Sequence, residues 1–519
     1  MFPKRHLISL GKFWSSHPGL LYGLAFLLSL SAAFEWNALL LLPILIVFAP
    51  GWFLFTCEKK YSTPHLLGPL LLGLFTYIFS IYNYMLSPLP EEGKEGLALI
   101  EINSIFPLNN RFSSSIVYKG KIKEFIDEKT GKAFPIRNAP FSIFLKKKEK
   151  KLLTHCSYQV KGLLKKNSAK KSYSLKVKKN AAWIPRGKKR NFAKVRYEAK
   201  QFVKKYIRKH IPSPRNASFL SGIATGEFDE TTTLFNFGRL GLQHIMAISG
   251  FHFSILSFFL NFFLRLFTPL HIGNILLILI LSGYFLFLGP QPSIERAWFS
   301  QFLFLLGGFF NKKSIPLNAL GLSILVVLLS NPFHYENLGF HLSFLTTASI
   351  IIFYSGINKL LVKIFEEQTL SQIKDQKPIH QCIYIFNTFL RRNLALALSV
   401  NLSIIPSVLY YFHKFPIMGI IYNLFFPFFI SLSIILLLLA VFSSLFFPPL
   451  SHLFHWINNQ YTTIILDTSF QIPSSLDIYW RVKTFPNEIF ILYLCALFLL
   501  GILLKNNTKQ KDSDYLSFL

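Results

Sequence analysis

Cysteine is rare in this chain and poorly spaced for chemistry. Cys57, Cys156, Cys382 and Cys495 form no CxxC pair, and only Cys156 lies in the basic stretch between residues 87 and 215. No disulfide can close within that stretch, and no zinc knuckle is present. No GxxxxGK[ST] loop occurs either, so any uphill movement would draw on a partner or an ion gradient. Charge is scarce as well, at 15% of residues. What fills the chain is apolar: 52% of 519 residues are hydrophobic and 16% aromatic. Runs of roughly 20 apolar residues, long enough to span a bilayer, recur from end to end. The pattern predicts a polytopic α-helical membrane protein.

The charge that exists is lopsided. Lys and Arg number 55 against 24 Asp and Glu, and residues 87–215 alone hold 33 against 9. A lysine-rich genome and a solvated surface would account for this. A polyanion-binding face would too, because Lys and Arg neutralise phosphates and release counterions. Anionic lipid headgroups satisfy the same charge as nucleic acid does.

Lys4, Arg5 and Lys12 precede an apolar run from Leu20 to Phe34 whose Ser31, Ala32 and Ala33 have the outline of a cleavage site. Two further apolar runs, Ala38 to Phe55 and Leu66 to Leu86, follow closely and favour three uncleaved membrane helices within residues 1–87. Short-loop positive charge, including Lys59 and Lys60, puts the N-terminus in the cytoplasm and residues 88–214 on the outer side of the membrane.

Within residues 88–190 the hydrophobic period switches to two. Strands are expected at Leu97 to Ile105, Ser114 to Ile126, Phe141 to Lys146, Ser157 to Leu164 and Ser172 to Lys178. Five short strands suit an inserted OB-fold-like β-barrel, whose strand face binds oligonucleotides by backbone charge and base stacking. Candidate DNA-binding residues are Lys119, Lys121, Lys123, Arg137, Lys146, Lys147, Lys161, Lys165, Tyr118 and Phe144. Residues 191–215 predict a basic amphipathic helix, from about Asn191 to His210 and stopped by Pro212 and Pro214, lying along a membrane surface.

A multi-pass domain then fills residues 216–505, ahead of a polar tail at 506–519. Spans are expected near 242–268, 271–289, 293–310, 315–330, 338–356, 393–412, 416–447 and 487–504, with Ser451 to Ile472 at the interface. The basic loop at 357–392 reads as cytoplasmic. Polar groups interrupt several spans: His244, Ser249, Gly250 and His252; Glu295 and Arg296; His341 and Ser343; Asn423. Each alone fits a helix contact or a kink. Together they point to a hydrated passage, since polar groups and broken helices are tolerated at membrane depth where they line a cavity.

The order of these motifs resembles the ComEC family of competence proteins, inner-membrane DNA-uptake channels. Gly226-Glu227, Phe237 to Leu242 and His244 to His252 are similar to its signature, in which a small alcohol–glycine pair lies between two histidines. Pro292-Ser293-Ile294-Glu295-Arg296-Ala297, Asn331-Pro332 through Leu338 to Phe344, and Pro416 through Asn423 to Pro427 resemble its later blocks. The resemblance implies natural transformation: one DNA strand enters from the outer face, meets the barrel and crosses the membrane domain. It places Ser249, Gly250, His244, His252, Arg296 and Ser343 on or near the passage. The implied partners are single-stranded DNA, the lipid bilayer, a DNA receptor on the outer face, a cytoplasmic motor or single-strand-binding proteins, and a second copy of the chain. No cofactor and no metal is implied. The chain ends at Leu519 without the HxHxDH motif of a metallo-β-lactamase-like nuclease, so the expected activity is non-hydrolytic.

Two rival readings stay open. In an intramembrane hydrolase, Ser249 would be the nucleophile with His252 or His341 as base. A lipid or solute exporter would use the basic domain to hold headgroups. A metal site from His244, His252 and His341 is disfavoured, because no carboxylate lies beside them.

Overall fold

The structure, a computed structural model, describes residues 13–14, 16–34, 71–79, 93–110, 113–134, 138–146, 156–166, 173–177, 181–188, 192–310, 315–368, 370–374 and 376–507. The expected helix at Ala38 to Phe55 lies outside these residues. The first expected helix is present as α1 (Pro18–Phe34), and residues 71–79 of the third are helical.

The barrel strands are β1 (Lys94–Asn110), β2 (Ser113–Asp127), β3 (Ala139–Lys146), β4 (Cys156–Lys166) and β5 (Tyr173–Val177). A two-residue strand, Ala133–Phe134, pairs with β2, and β6 (Ile184–Lys188) pairs with β4. Around the barrel the order is β1-β2-β3-β5-β4, and the β1–β4 pairing closes it. Every pairing is antiparallel except β3–β5, which is parallel. This is the five-stranded closed, OB-like barrel the period-two pattern predicts. Closure removes the open sheet edges that would otherwise pair with other chains. Ala98, Ile100, Ile102, Tyr118, Ile122, Phe141, Ile143, Val160, Leu164 and Leu175 fill its core. Two register shifts between β1 and β2, at Leu99/Ile100 and Ile102/Ser104, bend the sheet as bulges do.

Helix α2 (Ala193–His210) leaves the barrel, and α3 (Pro214–Thr225) turns back beside it. Pro214 sits in the first turn of α3, where a missing N–H is harmless, and Ser213 accepts the Asn216 N–H at 3.4 Å. The expected surface-lying helix is instead docked along the helical domain. Arg196 Nε donates to the Leu286 carbonyl (2.9 Å), and His210 stacks on His455 with centroids 4.9 Å apart. The reason is electrostatic: two lysines on its inner face meet carboxylates in the loop after α3.

The domain continues through α4 (Thr231–Arg239), a single turn at Gln243–Met246, α5 (Gly250–Phe267), α6 (Leu270–Leu288), α7 (Pro292–Phe309), α8 (Pro316–Ser330), α9 (Leu338–Val362), α10 (Pro378–Phe412), α11 (Gly419–Ser443), α12 (Pro448–Gln471) and α13 (Asn487–Asn507). By length and composition α5, α6, α9, α10 and α11 can each cross a membrane; α1, α8 and α13 contain shorter apolar stretches. Large apolar side chains such as Phe258, Phe262, Leu279, Leu286 and Phe428 are exposed on the outer surface. Lipid covers such a surface at no hydrophobic penalty.

Three departures from the sequence reading have physical causes. Helix α10 begins at Pro378, within the expected loop, because Arg391 is buried and paired with Glu367 (2.7 Å) and the Phe365 carbonyl (3.2 Å). Segment α12, expected at the interface, runs antiparallel along α11. Its buried polar stripe bonds across the seam: Ser433 Oγ to Asn458 Oδ1 at 2.8 Å, Ser451 Oγ to the Ala440 carbonyl at 2.8 Å. The expected span at 242–268 is broken at 247–249. At the other side of the domain α1 crosses α8 in close backbone contact. Gly23 lies against the backbone of Gly321, Gly321 against that of Gly19, and any Cβ there would overlap its neighbour.

Candidate functional site

The break before α5 starts at Gly241, whose φ of 74° suits glycine. A Cβ there would also come within 2.8 Å of Pro416. After the turn at Gln243–Met246 the chain extends through Ala247 to Ser249, and α5 begins at Gly250. An extended stretch before a helix leaves the first N–H groups of that helix without intrahelical acceptors. The Ser249 backbone N–H is itself taken by His252 Nδ1 at 3.4 Å.

Against this helix start lies Arg296, in the second turn of α7. Its Nη2 would be 2.9 Å from a Cβ on Gly250, so only a glycine leaves room for the guanidinium. Its Nε donates to Ser343 Oγ, in the second turn of α9, at 2.8 Å. Ser293 Oγ adds a contact to the Ile248 carbonyl at 3.4 Å. Three helices thus begin around one arginine, and no carboxylate pairs with it among the described residues. Each helix N-terminus carries partial positive charge. Such an assembly repels cations and is completed by an anion.

The sequence-predicted passage residues divide accordingly. Ser249, Gly250, Arg296 and Ser343 come together. His252 is buried beside them, its Nε2 without a hydrogen-bond partner among the described residues, and His244 is exposed. His341 lies in the first turn of α9, its ring 6.1 Å from Tyr411. Asn423 is in the second turn of α11 with its amide oxygen buried and unsatisfied. Glu295 is not part of the cluster. It faces α8 and accepts from Ser330 Oγ at 3.0 Å, because adjacent residues on a helix point about 100° apart. Among the described residues no group of three or more His, Cys, Asp or Glu is set to hold a metal ion.

On the barrel, Lys119 and Lys121 face outward on β2, opposite Ser142 and Pro140 of β3. Phe144, 61% exposed, lies diagonally across from Lys119, and Lys146 ends β3 opposite Ser115. Lys123 sits at the bulge, 3.7 Å from Glu101. Tyr118 is a correction: it is 2% exposed, in the barrel core, and its ring cannot stack on a base. Lys161 and Lys165 lie on β4, away from the β2–β3 face, and Lys161 pairs with Glu128. Arg137 and Lys147 lie outside the described residues.

The sequence reading missed the buried ion cluster that seats α2. Lys200 bonds Glu227 (3.0 Å), Lys204 lies 3.4 Å from Glu227 and bonds Asp229 (3.0 Å), and Arg208 reaches Asp229 at 2.7 Å. Basic residues at positions 200, 204 and 208, one helical turn apart, were legible; the carboxylates awaiting them 21 to 27 residues on were not.

Residues 225–507 match the competence-protein family along their whole length. The chain belongs to the competence-protein family. Two curated relatives are similar to this competence protein: ComE operon protein 3 of Bacillus subtilis (strain 168), 30% identical over 277 residues, and the uncharacterized protein MG316 homolog of Mycoplasma pneumoniae, 33% identical over 176 residues. The matches cover 50% and 34% of this chain, and 32% and 44% of those proteins. The chain therefore spans less than half the length of either relative. No solved structure matches it.

Proposed function

We propose that this multi-pass membrane protein takes up DNA in competence and passes a single strand past Arg296. The carrying observation is an arginine without a carboxylate partner among the described residues, held by Ser343 against Gly250 where α5, α7 and α9 begin. Phosphodiesters supply the missing negative charge. The outward β2–β3 face, with Lys119, Lys121 and Phe144, is the collecting surface, binding backbone charge and stacking bases without sequence preference. An outer-face receptor and a cytoplasmic motor or single-strand-binding proteins complete the path.

The helix directions support the orientation expected from the charge pattern. The barrel, α2 and the starts of α5, α7, α9 and α11 share one end, through the Arg196–Leu286 and Arg296–Ser343 contacts. The ends of α9 and the start of α10, with Lys359, Lys363, Lys374 and Lys377, lie at the other, which we assign to the cytoplasm. A hydrolase reading has less support: no hydrogen bond joins the Ser249 hydroxyl to an imidazole among the described residues.

The test is uptake of labelled DNA by a deletion strain carrying the wild-type gene, Arg296→Ala or Arg296→Lys. Arg296→Ala is expected to lower uptake to the level of the deletion while the protein accumulates normally in the membrane. Arg296→Lys is expected to restore a fraction, since a lysine keeps the charge but loses the planar fork. Wild-type uptake by Arg296→Ala would overturn the reading.

A further inference from the structure

A two-stranded ribbon lies at the same end of the domain as the helix break. It pairs β7 (Lys414–Pro416), between α10 and α11, with β8 (Tyr479–Arg481), before α13. Its register sets Lys414 directly opposite Arg481. Like charges directly opposite on a ribbon are destabilising. Both cations lean over one ring: Lys414 Nζ is 5.9 Å and Arg481 Cζ 5.7 Å from the Tyr479 centroid. Cation–π attraction offsets part of the repulsion and fixes both groups side by side. Neither they nor Lys483 pair with a carboxylate among the described residues; Asp477, two residues before Tyr479, is engaged by Arg239 at 3.6 Å.

The ribbon is joined to the break itself. Tyr479 Oη donates to the Arg239 carbonyl at 3.0 Å, and Pro416 rests on Gly241, three residues before His244. The cationic face of Lys414, Pro416, Tyr479 and Arg481 is therefore continuous with the strand's route toward Arg296. Trp480 is exposed on the opposite face of the ribbon.

We propose that Lys414 and Arg481 form a two-pronged clamp for neighbouring phosphodiester groups of a single DNA strand at the lip of the passage. This rests on the reading of the chain as a DNA conduit. An anion between the members of the pair relieves their repulsion, and continuity with the helix break selects the translocating strand over a lipid headgroup.

The experiment uses the purified full chain in phosphatidylcholine nanodiscs and a fluorescent thymidine oligonucleotide, with affinity measured against KCl concentration. Removing one phosphate contact on a single strand lowers the log–log salt slope by about 0.7, so Lys414→Gln and Arg481→Gln together are expected to lower it by about 1.4. Thermal stability of the double variant is expected to hold or rise, which a purely structural pair would not allow. Lys119→Gln/Lys121→Gln on the barrel serves as the reference. If the barrel variant lowers the slope and the ribbon variant does not, the clamp is overturned and the conduit reading stands. If neither lowers it, both fall. If the ribbon variant instead loses only enrichment of phosphatidylglycerol in mixed-lipid nanodiscs, the pair holds lipid, and the clamp is overturned.

Discussion

The barrel and the helical domain both carry many cations, and they handle them in opposite ways. On the barrel, Lys119 and Lys121 stand on an outer face above a core that does not involve them. In the helical domain, Lys200, Lys204 and Arg391 are buried and each is tied to an acid. Exposed charge supplies affinity that can be lost without loss of fold. Buried charge is part of the fold. Arg296 shares features of both, being held in place like the second group yet lacking a counter-charge like the first.

The widest contrast is expected at Lys204. Lys204→Ala leaves Glu227 and Asp229 short of a buried cation and is expected to destabilise the protein by roughly 3–5 kcal/mol, the usual consequence of breaking one side of a buried pair. Thermal unfolding in detergent measures it, and an unchanged midpoint would mean the two regions do not differ. Gly250→Ala tests the intermediate case. Its Cβ would meet a flexible guanidinium end at 2.9 Å, so the fold is expected to survive with a penalty of about 1–3 kcal/mol. DNA uptake is expected to fall far more than stability does, because Arg296 is displaced.

The smallest effect is expected at Asp127 on the barrel. The Lys129 backbone N–H, assisted by Lys94, holds its carboxylate below the ordinary value. A depressed carboxylate contributes stability above its unfolded value, near 3.9, and loses it as pH falls through the folded value. Acid unfolding of the full chain should therefore begin at slightly higher pH in Asp127→Asn only if other carboxylates are unchanged; at neutral pH the variant is expected to be marginally less stable.

Much of this was legible because period and polarity report burial. Alternation located β1 to β5 within a few residues, while Ile184–Lys188, reading Ile-Pro-Arg-Gly-Lys, has no alternation to find. The inward face of Tyr118 was implicit: Lys119 and Lys121 point out, so a neighbour one residue away points in. The interruption around Ser249 was legible from its polar residues, but not the backbone break at 247–249, because Ala247 and Ile248 are apolar and hydropathy does not register a change of backbone direction. Helix α10 was cut short for the opposite reason, since Arg391 looks like loop until Glu367 is placed beside it. The motif order singled out Gly250, Arg296 and Ser343, which the structure brings into contact. It could not tell that Glu295 faces another helix, which is a matter of angle around an axis.

The close crossing of α1 and α8 has a temporal consequence. Gly19 N–H bonds to the Asn318 side chain, 299 residues later in the chain. At about 5–20 residues per second of synthesis, the first helix waits roughly a quarter of a minute to a minute for its mate to emerge. During that interval its glycine notch faces lipid or a chaperone, and everything between the two helices, the barrel included, has been made. A nascent chain stalled before Asn318 thus has no partner for that glycine notch.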